Sequence, residues 1–103
     1  MIEQKRGLYC RAIDAWGSAA QVYKSLAELG EAIQAIARLE SGVRRQAADA
    51  ALYDHAAEKI ADARIMLEQL CMIYDIETEA EGWKWKKLTR LKERLDQWEG
   101  GAS

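Results

Sequence analysis

Four stretches of this chain repeat their apolar residues at steps of three and four, and that spacing is the period of an α-helix. In the first, Leu8, Ala12 and Ala15 share one face. In the second, Val22, Leu26, Leu29, Ile33 and Ile36 form a stripe. In the third, the stripe is Ile60, Ala63, Leu67, Leu70 and Tyr74, and in the fourth it is Leu88, Leu91, Leu95 and Trp98. The stops between them are equally legible. The first helix is expected from about Ile2 to Trp16, with Gly17 as its stop. Ser18, with Gln21 three residues on, makes a capping box for the second, and Ser41-Gly42 ends it. Residues 43–54 are open between an excursion loop and a short extra helix. A third helix is firm by His55 and frays near Asp75. Thr78 and Glu81 form a second capping box for a last helix to about Trp98, and Gly100-Gly101 closes it. The expectation is one helical domain over 1–99 with a tail at 100–103.

Composition agrees. The 103 residues include no Pro, no Phe and only two Val and two Thr, so there is little material for strands. Fifteen basic residues against seventeen acidic ones argue against a protein held to nucleic acid by overall charge. No apolar run approaches the roughly 20 residues that span a bilayer, and Met1–Arg11 is unlike a signal peptide. Cys10 and Cys71 lack any CxxC or Cys/His spacing and read as small core residues in a reducing, cytoplasmic setting. The fold class is therefore all-α, an antiparallel four-helix bundle. Helix two has a further face of Ala20, Ala27 and Ala35, and helix three carries Ile65, Met66, Met72 and Ile73 off its main stripe. Burial on more than one side in so short a chain predicts completion by a second copy, as a homodimer or homotetramer.

The chemistry-bearing feature is acidic. Glu28 and Glu31 lie about 60° apart on helix two, on its Ala face. Glu31 has no basic residue three or four positions away, and Glu28 has only Lys24. On helix three Glu58 and Asp62 are four apart, where like charges repel. Carboxylates among apolar neighbours need a cation or a raised pKa. Oxygen ligands on two facing helices suit Mg²⁺ or Mn²⁺. The competing explanation is a solvated pair on each helix, which is common.

The run Ala27-Glu28-Leu29-Gly30-Glu31, followed by Glu58-Lys59-Ile60-Ala61-Asp62, resembles the E-E-x-x-E and E-x-x-D signature of the MazG-like all-α nucleoside triphosphate pyrophosphohydrolases. The resemblance extends over nearly the whole chain. Ala12–Gly17 with Gln21, Ile65–Leu70 and Lys87–Leu95 are all similar to small phage-type members. It implies an Mg²⁺-dependent enzyme that splits a nucleoside triphosphate into monophosphate and pyrophosphate. It also implies Glu28, Glu31, position 59 and Asp62 as ligands. Here the sequence departs from the pattern, with Lys59 in place of a carboxylate and Ala27 in place of the first Glu. Glu58, one residue earlier, is the candidate replacement. The candidate catalytic residues are then Glu28, Glu31 and Asp62, with Glu28 orienting water, and the candidate metal ligands are these three with Glu58.

Trp16 and Gln21 occupy positions where the resembled family holds a base. Lys24, Lys59, Lys87 and Arg90 are the candidate cations for substrate, the last two from the basic run Lys84, Lys86, Lys87, Arg90, Lys92 and Arg94. A solvated helix face explains that run equally. Trp83 and Trp85 beside lysines suggest base stacking less than a core or interface role. His55 is the only histidine, which argues against zinc. No nucleophile triad and no phosphate-cradling glycine loop is present. Three functions compete: an active pyrophosphohydrolase, a degenerate relative that binds nucleotides or a protein partner without turnover, and a structural helical oligomer.

Overall fold

The computed structural model describes residues 2–102 and is all-α. Its helices are α1 (Ile2–Trp16), α2 (Ser18–Arg44), α3 (Ala50–Ile73) and α4 (Glu77–Ala102). No strand occurs among the described residues. None of the helices is long and apolar enough to cross a membrane.

α2 and α3 form the centre as a helical hairpin. Their partners run in opposite sequence order. Gln21 donates through Nε2 to Gln69 Oε1 at 2.7 Å, Ser25 Oγ lies 3.4 Å from Met66 Sδ, and Lys59 donates to Glu31 at 3.3 Å. Buried at the seam are Gln21, Ser25, Ala32 and Ala35 from α2, facing Ala56, Ala63, Met66 and Gln69 from α3. Small side chains let the two helices approach closely. The Leu/Ile stripe expected to form the core of α2 lies elsewhere. Ile33 is 69 % exposed, and Leu26 and Ile36 are exposed with it. In α3 the expected stripe splits. Ala63 is buried, whereas Ile60, Leu67 and Tyr74 are exposed, Leu67 by 48 %.

Helix boundaries differ from expectation at several points, for local reasons. α2 passes through Ser41-Gly42 to Arg44. Gly42 marks a close approach instead of a stop, because a Cβ there would meet Leu52 Cδ1 at 3.0 Å and Ala48 Cα at 3.3 Å. Beyond its C-cap Arg45 the chain turns away at Gln46, whose φ of 57° is left-handed, with Ala47 N–H bonding Gly42 C=O and Gln46 N–H bonding Val43 C=O. Asp75 ends α3 by the same device, with φ 54°. The open segment resolves into a short turn. Asp49 caps α3 by accepting from Leu52 N–H at 3.0 Å, so the helix starts at Ala50, ahead of His55. Neither expected capping box forms. Gly17, not Ser18, is the N-cap of α2, and Gln21 turns inward to Gln69. Glu81 accepts from the Trp85 indole at 2.9 Å instead of reaching back toward Thr78. α4 also continues through Gly100 and Gly101.

α1 folds back from Gly17, where φ 89° and ψ 149° define a conformation open almost only to glycine. Nothing lies within 4 Å of a Cβ built at Gly17, so the cost of Gly17→Ala is purely conformational. We expect it to destabilise the fold by about 1–3 kcal/mol, read as a lower urea midpoint with unchanged slope. An unchanged midpoint refutes the strain. Far from this corner, Tyr9 is buried and donates to Glu68 Oε2 at 2.6 Å, Lys5 pairs with Glu68, and Arg6 pairs with Glu77 at the start of α4. Beyond these contacts α4 is uncovered. Every described residue from Tyr74 to Gly101 is exposed, including the stripe ending at Trp98, which is 76 % exposed.

Candidate functional site

The carboxylates sit midway along the hairpin, where the α2–α3 register sets Glu28 and Glu31 opposite residues 58–62. Lys59 stands among them. Its Nζ is 3.3 Å from Glu31 Oε2 across the seam, 3.8 Å from Asp62 Oδ2 one turn away, and 4.0 Å from Glu58 Oε1. Acids from two helices thus meet around one ammonium. The Lys59 side chain is 20 % exposed, whereas the carboxylates it touches lie nearer the rim. Its hydrogen bond to Glu31, outweighing desolvation, raises its pKa above the ordinary lysine value, with the charges of Glu31, Asp62 and Glu58 adding to the effect. Lys59 is therefore charged throughout the neutral range.

Glu28 lies deeper. Its Oε2 is buried and makes no hydrogen bond. Burial raises its pKa, and the charges of Glu31 and Asp62 raise it further against the opposing pull of Lys59. A carboxyl whose folded pKa is raised favours folding while protonated. That contribution is complete below the ordinary carboxylate range and is lost as pH rises through the raised value. Glu28→Gln should therefore raise the melting temperature at neutral pH and leave it nearly unchanged in acid. An equal shift at both pH values contradicts this account.

A hard divalent ion suits the donor set in kind, since the oxygens come from two facing helices and one of them is buried without a partner. The arrangement as it stands holds an ammonium instead. Among the described residues no group of three or more Asp, Glu, His or Cys is laid out to hold a metal ion. Glu28, Glu31, Asp62 and Glu58 are the oxygen donors that the seam could offer such an ion, and Lys59 occupies the space among them.

Comparison with protein families, curated proteins and solved structures finds no match.

The other candidates scatter. Trp16 is exposed at the end of α1, with Lys24 Nζ 5.5 Å from its ring centroid, a cation–π contact. Gln21 is only 2 % exposed, and its amide is engaged with Gln69. Lys87 and Arg90 line a groove of about 200 Å³ with Leu91 and Arg94, all from α4. The structure does not gather this pair around the carboxylates. Sequence reasoning missed a cavity of about 270 Å³ between α1, α3 and α4, lined by Lys5, Arg6, Tyr9, Glu68, Cys71 and Met72 among others. Burial there, with the bond to Glu68, pushes Tyr9 up to about 12, and the same bond lowers Glu68. No local spacing links residues nearly sixty positions apart, so only the fold exposes this network.

Proposed function

We propose that this chain is an Mg²⁺-dependent nucleoside triphosphate pyrophosphohydrolase, releasing monophosphate and pyrophosphate in the cytoplasm, with turnover held down by Lys59. The reading rests on the resemblance of the two acidic runs to the MazG-like signature. The observation that carries it is the meeting of Glu31 and Asp62 across the α2–α3 seam, beside the buried, unpartnered oxygen of Glu28. A bound Mg²⁺ would supply neutralisation of the triphosphate charge and polarisation of its phosphorus toward attack by water. Glu28, Glu31, Asp62 and Glu58 would hold it. Glu28, the deepest carboxylate, orients the water. Trp16 and Lys24, joined by their cation–π contact, are the residues assigned to base and phosphate. The same chain works as a homodimer or homotetramer, because its large apolar stripes are uncovered in one copy.

The contacts of Lys59 favour a second reading, a relative that binds nucleotides or a protein partner without turnover. An ammonium already neutralises the acids that metal binding requires. Pyrophosphate release from a panel of nucleoside triphosphates, with and without Mg²⁺, separates the two. Metal-dependent release that Asp62→Asn abolishes supports the enzyme. Nucleotide binding by calorimetry with no release supports the second reading, and neither binding nor release removes both.

A further inference from the structure

The apolar stripes that leave the hairpin seam share one side of it. On α2, Leu26, Ile33 and Ile36 lie about 100° round from the buried face, in the sense of increasing residue number. On α3, Tyr53, Ile60 and Leu67 recur at seven-residue intervals, also about 100° round in the same sense. Helices that run in opposite directions turn in opposite senses when viewed from one end. Equal offsets therefore bring both stripes to one side. Glu31, Glu58 and Asp62 are offset the other way and stand on the opposite side. The register sets Leu26 within one turn of Leu67, and Ile33 within one turn of Ile60, one heptad on.

We infer that a second copy of this chain docks on this face, hairpin against hairpin, completing a four-helix bundle with the two carboxylate clusters on its outer sides. This deepens the oligomer proposed above and is independent of the pyrophosphohydrolase activity. Area argues for it. A folded monomer of 11.6 kDa exposes about 5,800 Å², but this chain exposes 8191 Å². The excess, about 2,400 Å² per chain and shared between this face and the uncovered α4, is of the size an obligate homodimer buries, since such interfaces bury roughly 2,000–5,000 Å² in total. Shape agrees, because a radius of gyration of 17.8 Å exceeds the roughly 13 Å of a closed domain this long. Self-pairing is also free of repulsion. None of the six stripe positions is charged, and Glu40, next along α2, is already paired with Arg44. An isologous two-fold contact places like on like, which an uncharged heptad face tolerates.

Sedimentation equilibrium at micromolar concentration should give a dimer or a dimer of dimers, and Ile33→Glu with Ile60→Glu should dissociate the pair joined through this face. Because that variant exposes charge on a large surface, a second measurement stands beside it. With Cys10 and Cys71 replaced by serine, Ile33→Cys or Ile60→Cys should join two chains through a short bis-maleimide. Ala27→Cys and Gln34→Cys, away from this face, should not. A monomeric wild type overturns both the inference and the oligomer. A dimer cross-linked through Ala27→Cys or Gln34→Cys, with no link at Ile33→Cys or Ile60→Cys, overturns the inference alone. Either result leaves the pyrophosphate assay to judge the enzyme separately.

Discussion

Lys59→Glu should tighten Mg²⁺ binding by on the order of a hundredfold and raise pyrophosphate release with it. The substitution removes a cation 3.3 Å from Glu31 and 3.8 Å from Asp62, and it adds a carboxylate three residues before Asp62. Both changes act on a doubly charged ion at short range. Glu31→Gln and Asp62→Asn in the same background should each return the affinity toward that of the wild type. Titration calorimetry with Mg²⁺ alone reads the affinity without reference to turnover. If Lys59→Glu changes neither affinity nor release while Glu58→Gln destroys both, Glu58 already fills the ligand position of the resembled motif and Lys59 does not hold turnover down. If no substitution matters, the cluster is surface charge.

The second large effect is on stability. Gln69→Leu should cost about 2 kcal/mol, since a buried amide left unpartnered loses its hydration without compensation. Gln21 is 2 % exposed, and its amide donates to Gln69 Oε1 at 2.7 Å. Adding Gln21→Leu should recover much of the loss, because removing both polar partners removes the penalty. Urea titrations at one fixed protein concentration measure the cycle, as an oligomer's stability depends on concentration. A double variant no better than Gln69→Leu would show that shape at the seam, and not the hydrogen bond, sets the cost.

Much of the architecture was legible locally. Helix formers, the absence of Pro and four stripes at steps of three and four required four helices, because periodicity and propensity act within a few residues. The stop at Gly17 was likewise readable, since its φ of 89° suits glycine. The ends of α2 and α3 were not. Gln46 and Asp75 take left-handed conformations without the usual glycine, whereas Gly42 is small for packing against Leu52. A sequence shows that a residue is small, but not what approaches it.

Which face became the seam was a tertiary decision. The sequence marks both a Leu/Ile stripe and an Ala face on α2. Close helix contact selected Gln21, Ser25, Ala32 and Ala35, leaving the larger stripe outside and, of the expected Ala face, burying Ala35 but not Ala20 or Ala27. The acidic residues were visible one by one, and their position on two helices followed from spacing. Only the antiparallel register brought Lys59 to Glu31, because a charge pair across 28 positions depends on how two helices align rather than on either helix alone.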